Sequence, residues 1–429
     1  MLPSECPYPE TNPEHPATHP LGSSQAQGHC NQCQRYFRRC PDCRSANRWL
    51  ARFCRNCGHA LTALNWLPEL ADNPFQEKPF AWPLRWSQPI QCGFIPRWMA
   101  LLDGRAFLLG PQGELRCYQS RLDSPYPPLS GPVASSPSYL HGFLAIPGSS
   151  RGESAGEDQI TLVDLLEARP GGGRRIQRLR GPLLCPLASD QGQWLAALVH
   201  EGDNRGLQLF RLHQGRLQLS WNQVIEGSGP DSSGIPRLFW LNSTLVYLDE
   251  HGQITGLDPI SGTQVFQANC PSPPNLLPPW VHGSNAYWGG NDGSLWWLRT
   301  APEVQLHQLS GAQTSPMLAL AAGPNDVLAS YGRSLQRVRL ENGRCEILDL
   351  PQYCTVSPWV GQDRALALSQ EGQLYLLSLG SQTFQVVATD KMPLPFGSTL
   401  LPPLWTGREW LTLDQEGHLF SGVQTAGAT

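Results

Sequence analysis

The chain has 429 residues, 40% of them apolar and 15% charged, enough to bury a sizeable core and too apolar for bulk disorder. A formal net charge of −4 argues against a protein that coats nucleic acid with its whole surface. With 42 glycines and 40 prolines the composition favours many short strands over long helices, and no apolar run of about 18 residues offers a membrane span.

Residues 1–29 hold six prolines and no apolar periodicity, and read as a disordered leader. The opening MLPSECPYPETNPEHP has no apolar stretch of the secretory kind, so a cytoplasmic location is expected. Six of the 13 cysteines then crowd into residues 30–57 as three C-x-x-C pairs: Cys30/Cys33, Cys40/Cys43 and Cys54/Cys57. In an unexported chain such pairs point to metal rather than to disulfides. The other cysteines are scattered and read as small core residues or free thiols.

Two residues between a pair of cysteines let one tight turn aim both thiolates at one ion. Two such turns close a tetrahedral sulfur shell, with no open position for water. The segment CPDCRSANRWLARFCRNCGHAL (40–61) resembles the units of the double-zinc-ribbon families on Pro41, Phe53, Gly58 and Leu61, with Arg44 where glycine is usual. The expected ligands of one structural Zn²⁺ are Cys40, Cys43, Cys54 and Cys57. Cys30 and Cys33 either pair with Cys54 and Cys57 instead, or form half of a second site completed by Cys6, His15, His19 or His29. The ribbon is placed at 30–61, and 62–84, mixing proline with Trp and Phe, is read as a linker packing on the next domain.

Residues 85–429 repeat. Pro96, Pro137, Pro186, Pro236, Pro279, Pro316, Pro358 and Pro403 each open a phrase of apolar residues, a turn, an apolar strand, a glycine turn and a second apolar strand. PWVHGSNAYWGGNDGSLWWL, PWVGQDRALALSQEGQLYLL and PLWTGREWLTLDQEGHLFSG show it best, with Gly293, Gly372 and Gly417 at one fixed place. A period of 40–50 residues with several short strands per unit is the signature of propeller blades. GLDPISGTQVF (256–266) resembles the strand–turn–strand motif of quinoprotein-type propellers, with Phe266 where Trp is usual, and FRLHQGRLQLSW (210–221), RLENGRCEIL (339–348) and LSLGSQTFQVV (377–387) are similar. The domain thus resembles the quinoprotein-type or WD-like propellers. The expected fold is mainly β, an eight-bladed β-propeller with a small N-terminal zinc ribbon; seven blades are the alternative if the unit at 137–185 is irregular. The last unit stops after its third strand, so Trp86–Cys92 is expected to supply the missing outer one.

The resemblance does not bring an enzyme with it. Quinone-dependent members hold their cofactor beside adjacent cysteines, and this chain has none. There is no H-E-x-x-H or P-loop motif, and the acidic-Gly pairs (Asp103-Gly104, Asp292-Gly293, Glu371-Gly372, Glu416-Gly417) recur once per blade, as hairpin turns do. No catalytic residue and no small-molecule substrate is assigned.

Arginine is less evenly spread. Residues 30–60 carry seven arginines against the single Asp42, and 168–181 carry five more, whereas the chain has only two lysines, Lys78 and Lys391. Arg35, Arg38, Arg39, Arg174 and Arg175 are candidate contacts for an anionic partner. The expected function is a non-enzymatic adaptor whose propeller docks a protein. The alternatives are a nucleic-acid-associated factor reading through the ribbon, and a small-ligand binder or enzyme using the propeller channel.

Overall fold

Runs such as AFLL (106–109) and WLAALV (194–199) are apolar at every position rather than at alternate ones, so both faces of these strands must be covered. Sheets stacked radially around an axis do this, each burying its two faces against its neighbours. The computed structural model describes residues 84–424 apart from 103–104, 119–131, 150–157, 166–174, 226–234, 394–400, 407–408 and a few other positions. It also describes the backbone of three short strands nearer the N-terminus, Gly28–His29, Tyr36–Arg39 and Ala46–Arg48, which pair antiparallel in chain order.

The larger part is an eight-bladed β-propeller with no helix among the described residues. We letter the strands of each blade A to D in chain order. The A strands of successive blades are Trp98–Leu102, Ser138–Leu140, Ala188–Ser189, Arg237–Leu241, Trp280–His282, Ala319–Ala322, Trp359–Val360 and Leu404–Trp405. Neighbouring A strands approach one another around the axis. Each of the eight recurring prolines stands shortly before an A strand, where a residue without an N–H costs the ladder nothing. The unit that begins at Pro137 is a complete four-stranded blade, which excludes the seven-bladed alternative.

Blade 6 departs from the simple meander. Its run Asp326–Arg339 pairs with Ala319–Ala322 through its first half and with Cys345–Cys354 through its second. The Leu340 N–H donates to the Asn325 carbonyl at 2.9 Å, so the run folds back on itself near Gly332 (φ 86°) and supplies both strand B and strand C. Blade 8 closes the ring. Leu84–Trp86 pairs with the last strand (Gly422↔Trp86, Gln424↔Leu84), and Ile90–Gln91 pairs lower on the same strand (His418↔Gln91). The closing segment therefore begins two residues before the expected Trp86 and is broken in the middle. Asp390 of blade 7 accepts from the Leu84 N–H at 2.9 Å and the Trp86 indole at 3.3 Å, tying the N-terminal strand to a second blade.

The core follows from the two-sided burial. In blade 3, Leu195, Ala197 and Val199 join Leu140, Phe143 and Ile160 of blade 2, while Ala196 and Leu198 of the same strand join Leu238, Trp240 and Tyr247 of blade 4. The B–C hairpins turn at glycines with φ of 77° (Gly293), 81° (Gly372) and 83° (Gly417), a conformation that penalises any β-carbon. Asp414 Oδ1 accepts from the N–H groups of Glu416 and His418, both at 2.9 Å, so in this turn the acidic side chain serves the hairpin itself. Asp103 and Gly104 lie outside the described residues.

Candidate docking surface

What the ring presents depends on how firmly its rims are held. One rim carries the B–C hairpins and the connections between blades; the other carries the A–B and C–D hairpins. Among the described residues, four buried arginines cross from one blade to the next, two at each rim.

On the A–B and C–D side, Arg105 of blade 1 donates to the Leu165 carbonyl of blade 2 at 2.8 Å. Arg337 of blade 6 bonds Asp326 (2.7 Å) and Glu346 (3.2 Å) in its own blade and the Leu379 and Gly380 carbonyls of blade 7. On the opposite rim the Arg205 fork of blade 3 grips both oxygens of Glu250 in blade 4, at 2.6 and 2.7 Å, and the Tyr247 hydroxyl at 3.1 Å. Hydrogen bonding to that carboxylate holds the Arg205 pKa above its ordinary value, and burial pushes the Tyr247 phenol up to about 12.

Arg237 completes the set at the start of blade 4. It donates to the carbonyls of Asn275 (2.9 Å) and Leu277 (3.3 Å) in the connection to blade 5, and burial lowers its pKa. The Asn275 side chain accepts from the Leu277 N–H at 3.0 Å, and the Asn275 N–H donates to Gly289 at 2.8 Å. Prolines at 271, 273, 274, 278 and 279 stiffen the remainder. Leu276, between two pinned residues, is left 73% exposed. Ile235 and Trp280 are also exposed on this sector of rim, at 41% and 38%. Leu276 is thus an exposed apolar side chain on a pinned loop, the arrangement that lowers the ordering cost of a contact.

The residues singled out in the sequence fare unevenly. Cys30, Cys33, Cys40, Cys43, Cys54, Cys57, Arg35 and Arg174 lie outside the described residues. Arg38 and Arg39 fall in the strand Tyr36–Arg39, described for its backbone alone. Arg175 opens the outer strand of blade 2 and lies over Gly215 of blade 3, where a β-carbon would meet its guanidinium. Cys92, Cys117, Cys185, Cys270 and Cys354 are buried and in no disulfide, and burial pushes Cys185 and Cys354 up to about 12. Among the described residues no group of three or more His, Cys, Asp or Glu side chains is placed to hold a metal. Sequence reasoning missed the arginine clasps and Leu276. An arginine heading an apolar strand, as in RAFLL and RLFWL, is the one signal that could have flagged Arg105 and Arg237.

No family model matches the chain, and no curated protein matches it. Solved structures do. BamB from Moraxella catarrhalis is 14% identical with a TM-score of 0.57, over 81% of this chain and 99% of that one. Sqt1 from Saccharomyces cerevisiae is 11% identical with a TM-score of 0.58, over 79% and 98%, and the computationally designed Ika8 protein gives 11% and 0.58 over 78% and 98%. At such identities the likeness is one of fold, and it covers the ring almost from end to end: this chain is built on a β-propeller.

Proposed function

We propose that this protein is a non-enzymatic scaffold whose propeller docks a protein partner on the rim formed by the B–C hairpins and the connections between blades. The observation that carries this reading is Leu276, held 73% exposed on a loop that Arg237 pins from beneath. A large aliphatic side chain kept in water on a stiff loop raises no stability in the free ring; it is usable surface.

The N-terminal segment is proposed as a structural zinc ribbon that adds a second contact. Supporting it, the pairs His29↔Tyr36 and Arg39↔Ala46 bracket, in the sequence, the Cys30/Cys33 and Cys40/Cys43 pairs. The cysteines of the ring that the structure describes are in no disulfide, which suits a reducing compartment such as the cytoplasm.

The test is quantitative capture by the tagged full chain in its native host, with and without nuclease. Leu276→Asp is expected to lose the partner while the unfolding midpoint stays put, since an exposed site shifts stability by only about 0.5 kcal/mol. Retention by Leu276→Asp, with loss on replacing Arg35, Arg38 and Arg39 by Ser, would move recognition to the ribbon. Nuclease-sensitive capture would favour the nucleic-acid alternative.

A further inference from the structure

A second binding feature lies on the outer circumference between blades 3 and 4. Here a cavity of about 300 Å³ runs along strand C of blade 4, Gln253–Leu257. Its floor carries the Arg205–Glu250 pair and Tyr247; its walls carry Val224 from blade 3 and Leu257, Gln264 and Gln267 from blade 4. Asp249 and His251 flank its upper end, on the hairpin after strand B.

The lining narrows the class of ligand. The one lining arginine is gripped through both Glu250 oxygens, and Asp249 adds a negative charge, so phosphates and carboxylates are disfavoured. Tyr247 on the floor is 6% exposed, and the exposed His251 ring stands only at the upper end, so the length of the cavity offers no flat ring for a nucleobase or sugar to stack on. What remains is four glutamine amides and a threonine hydroxyl beside small aliphatic patches. Each amide both donates and accepts, which is the complement of a polypeptide backbone. From Gln253 to Leu257 the cavity follows the strand for about 13 Å, the span of about four extended residues.

We propose that this groove binds an extended peptide segment with a basic side chain at the Asp249 end and small aliphatic side chains toward Val224 and Leu257. The proposal rests on the scaffold reading and names a second contact for the same kind of partner. The Gln264 amide reaches Gln267 at only 3.5 Å, so exchanging that contact for peptide hydrogen bonds costs little. Asp249 Oδ1 already accepts from the N–H groups of His251 (2.8 Å) and Gln253 (2.7 Å), so the carboxylate is held in place before a cation arrives.

The experiment is a positional-scanning library of acetylated, amidated octapeptides bound to the full chain and read by fluorescence anisotropy. Selection of Lys or Arg at one position, with Val, Ile or Thr beside it, is the expected result. Replacing that basic residue by Glu, or Asp249→Asn in the protein, should each weaken binding about tenfold, the loss of one charge-assisted contact. Gln264→Ala with Gln267→Ala, both at exposed positions, should weaken it similarly without moving the unfolding midpoint. No selected peptide, selection of acidic residues, or undiminished binding by all these variants would overturn the proposal. If the Leu276→Asp variant still loses the partner in that case, the scaffold reading stands and only the groove assignment falls.

Discussion

Trp221, on the outer strand of blade 3, packs against Gly262 in the C–D hairpin of blade 4: a β-carbon at Gly262 would stand 3.5 Å from the indole, whose N–H donates to the Pro259 carbonyl at 2.9 Å. The two residues belong to FRLHQGRLQLSW and GLDPISGTQVF, so phrases that look alike in the sequence meet in space as strand and socket. Trp221→Ala should lower unfolding free energy by about 2 kcal/mol, less than for a fully buried ring, as read by urea denaturation. No loss would mean that blades 3 and 4 are held by their core alone.

The closing strand gives a second expectation. Deleting residues 1–83 should leave a cooperative ring, because Leu84–Trp86 and Ile90–Gln91 still cover the last strand. Deleting 1–92 exposes the edge of His418–Gln424 and should lower the melting temperature and promote aggregation. Equal melting temperatures for the two truncations would contradict this closure.

Glu250→Gln tests the buried clasp. Glu250 is 5% exposed and Arg205 9%, so leaving the guanidinium without its carboxylate should cost about 3–5 kcal/mol. Arg205→Met combined with Glu250→Leu should recover most of that loss, because the desolvated charge goes with its partner. A double variant as unstable as the single one would show that the pair acts through packing.

The buried thiols predict both reactivity and pH dependence. Burial raises Cys185 and Cys354 from 9.0 to about 12, so at pH 8 alkylation should mark exposed Cys345 among the ring cysteines and leave those two untouched until the chain unfolds. With the folded pKa above the unfolded one, their stabilising contribution is complete below pH 9.0 and is lost as pH rises toward 12. Peptide mapping by mass spectrometry and alkaline denaturation check the two halves.

Much of the ring was legible because propeller blades obey local rules. Pro236 and Pro279 stand next to A strands because those positions need no donor, and Gly293 and Gly417 turn hairpins that need positive φ. Blade 6 was less legible. Its B–C turn is so tight at Gly332 that the two strands read as one run, and no spacer marks the hairpin. The candidate contact surface was hidden for a different reason. Whether Arg237 points to water or grips Asn275 and Leu277 depends on a neighbouring blade 38 residues away, which no local pattern reports. Leu276 likewise reads as one more apolar residue in NLLPPW until its neighbours are seen to be fixed.

The ribbon offers an independent check. Metal analysis of the reduced full chain should find one zinc, or two if Cys30 and Cys33 belong to another site, and Cys54→Ser should lower that content. A zinc-free chain with reduced cysteines would remove the ribbon from the account.

In the proposed function a protein partner sits on Leu276. Placing a photo-crosslinking amino acid at position 276 in the native host, and separately at Ile347, 63% exposed on the outer strand of blade 6, tests it most directly. One discrete polypeptide adduct is expected from position 276 and none of that species from position 347. The same adducts from both positions, or none from 276, would contradict it.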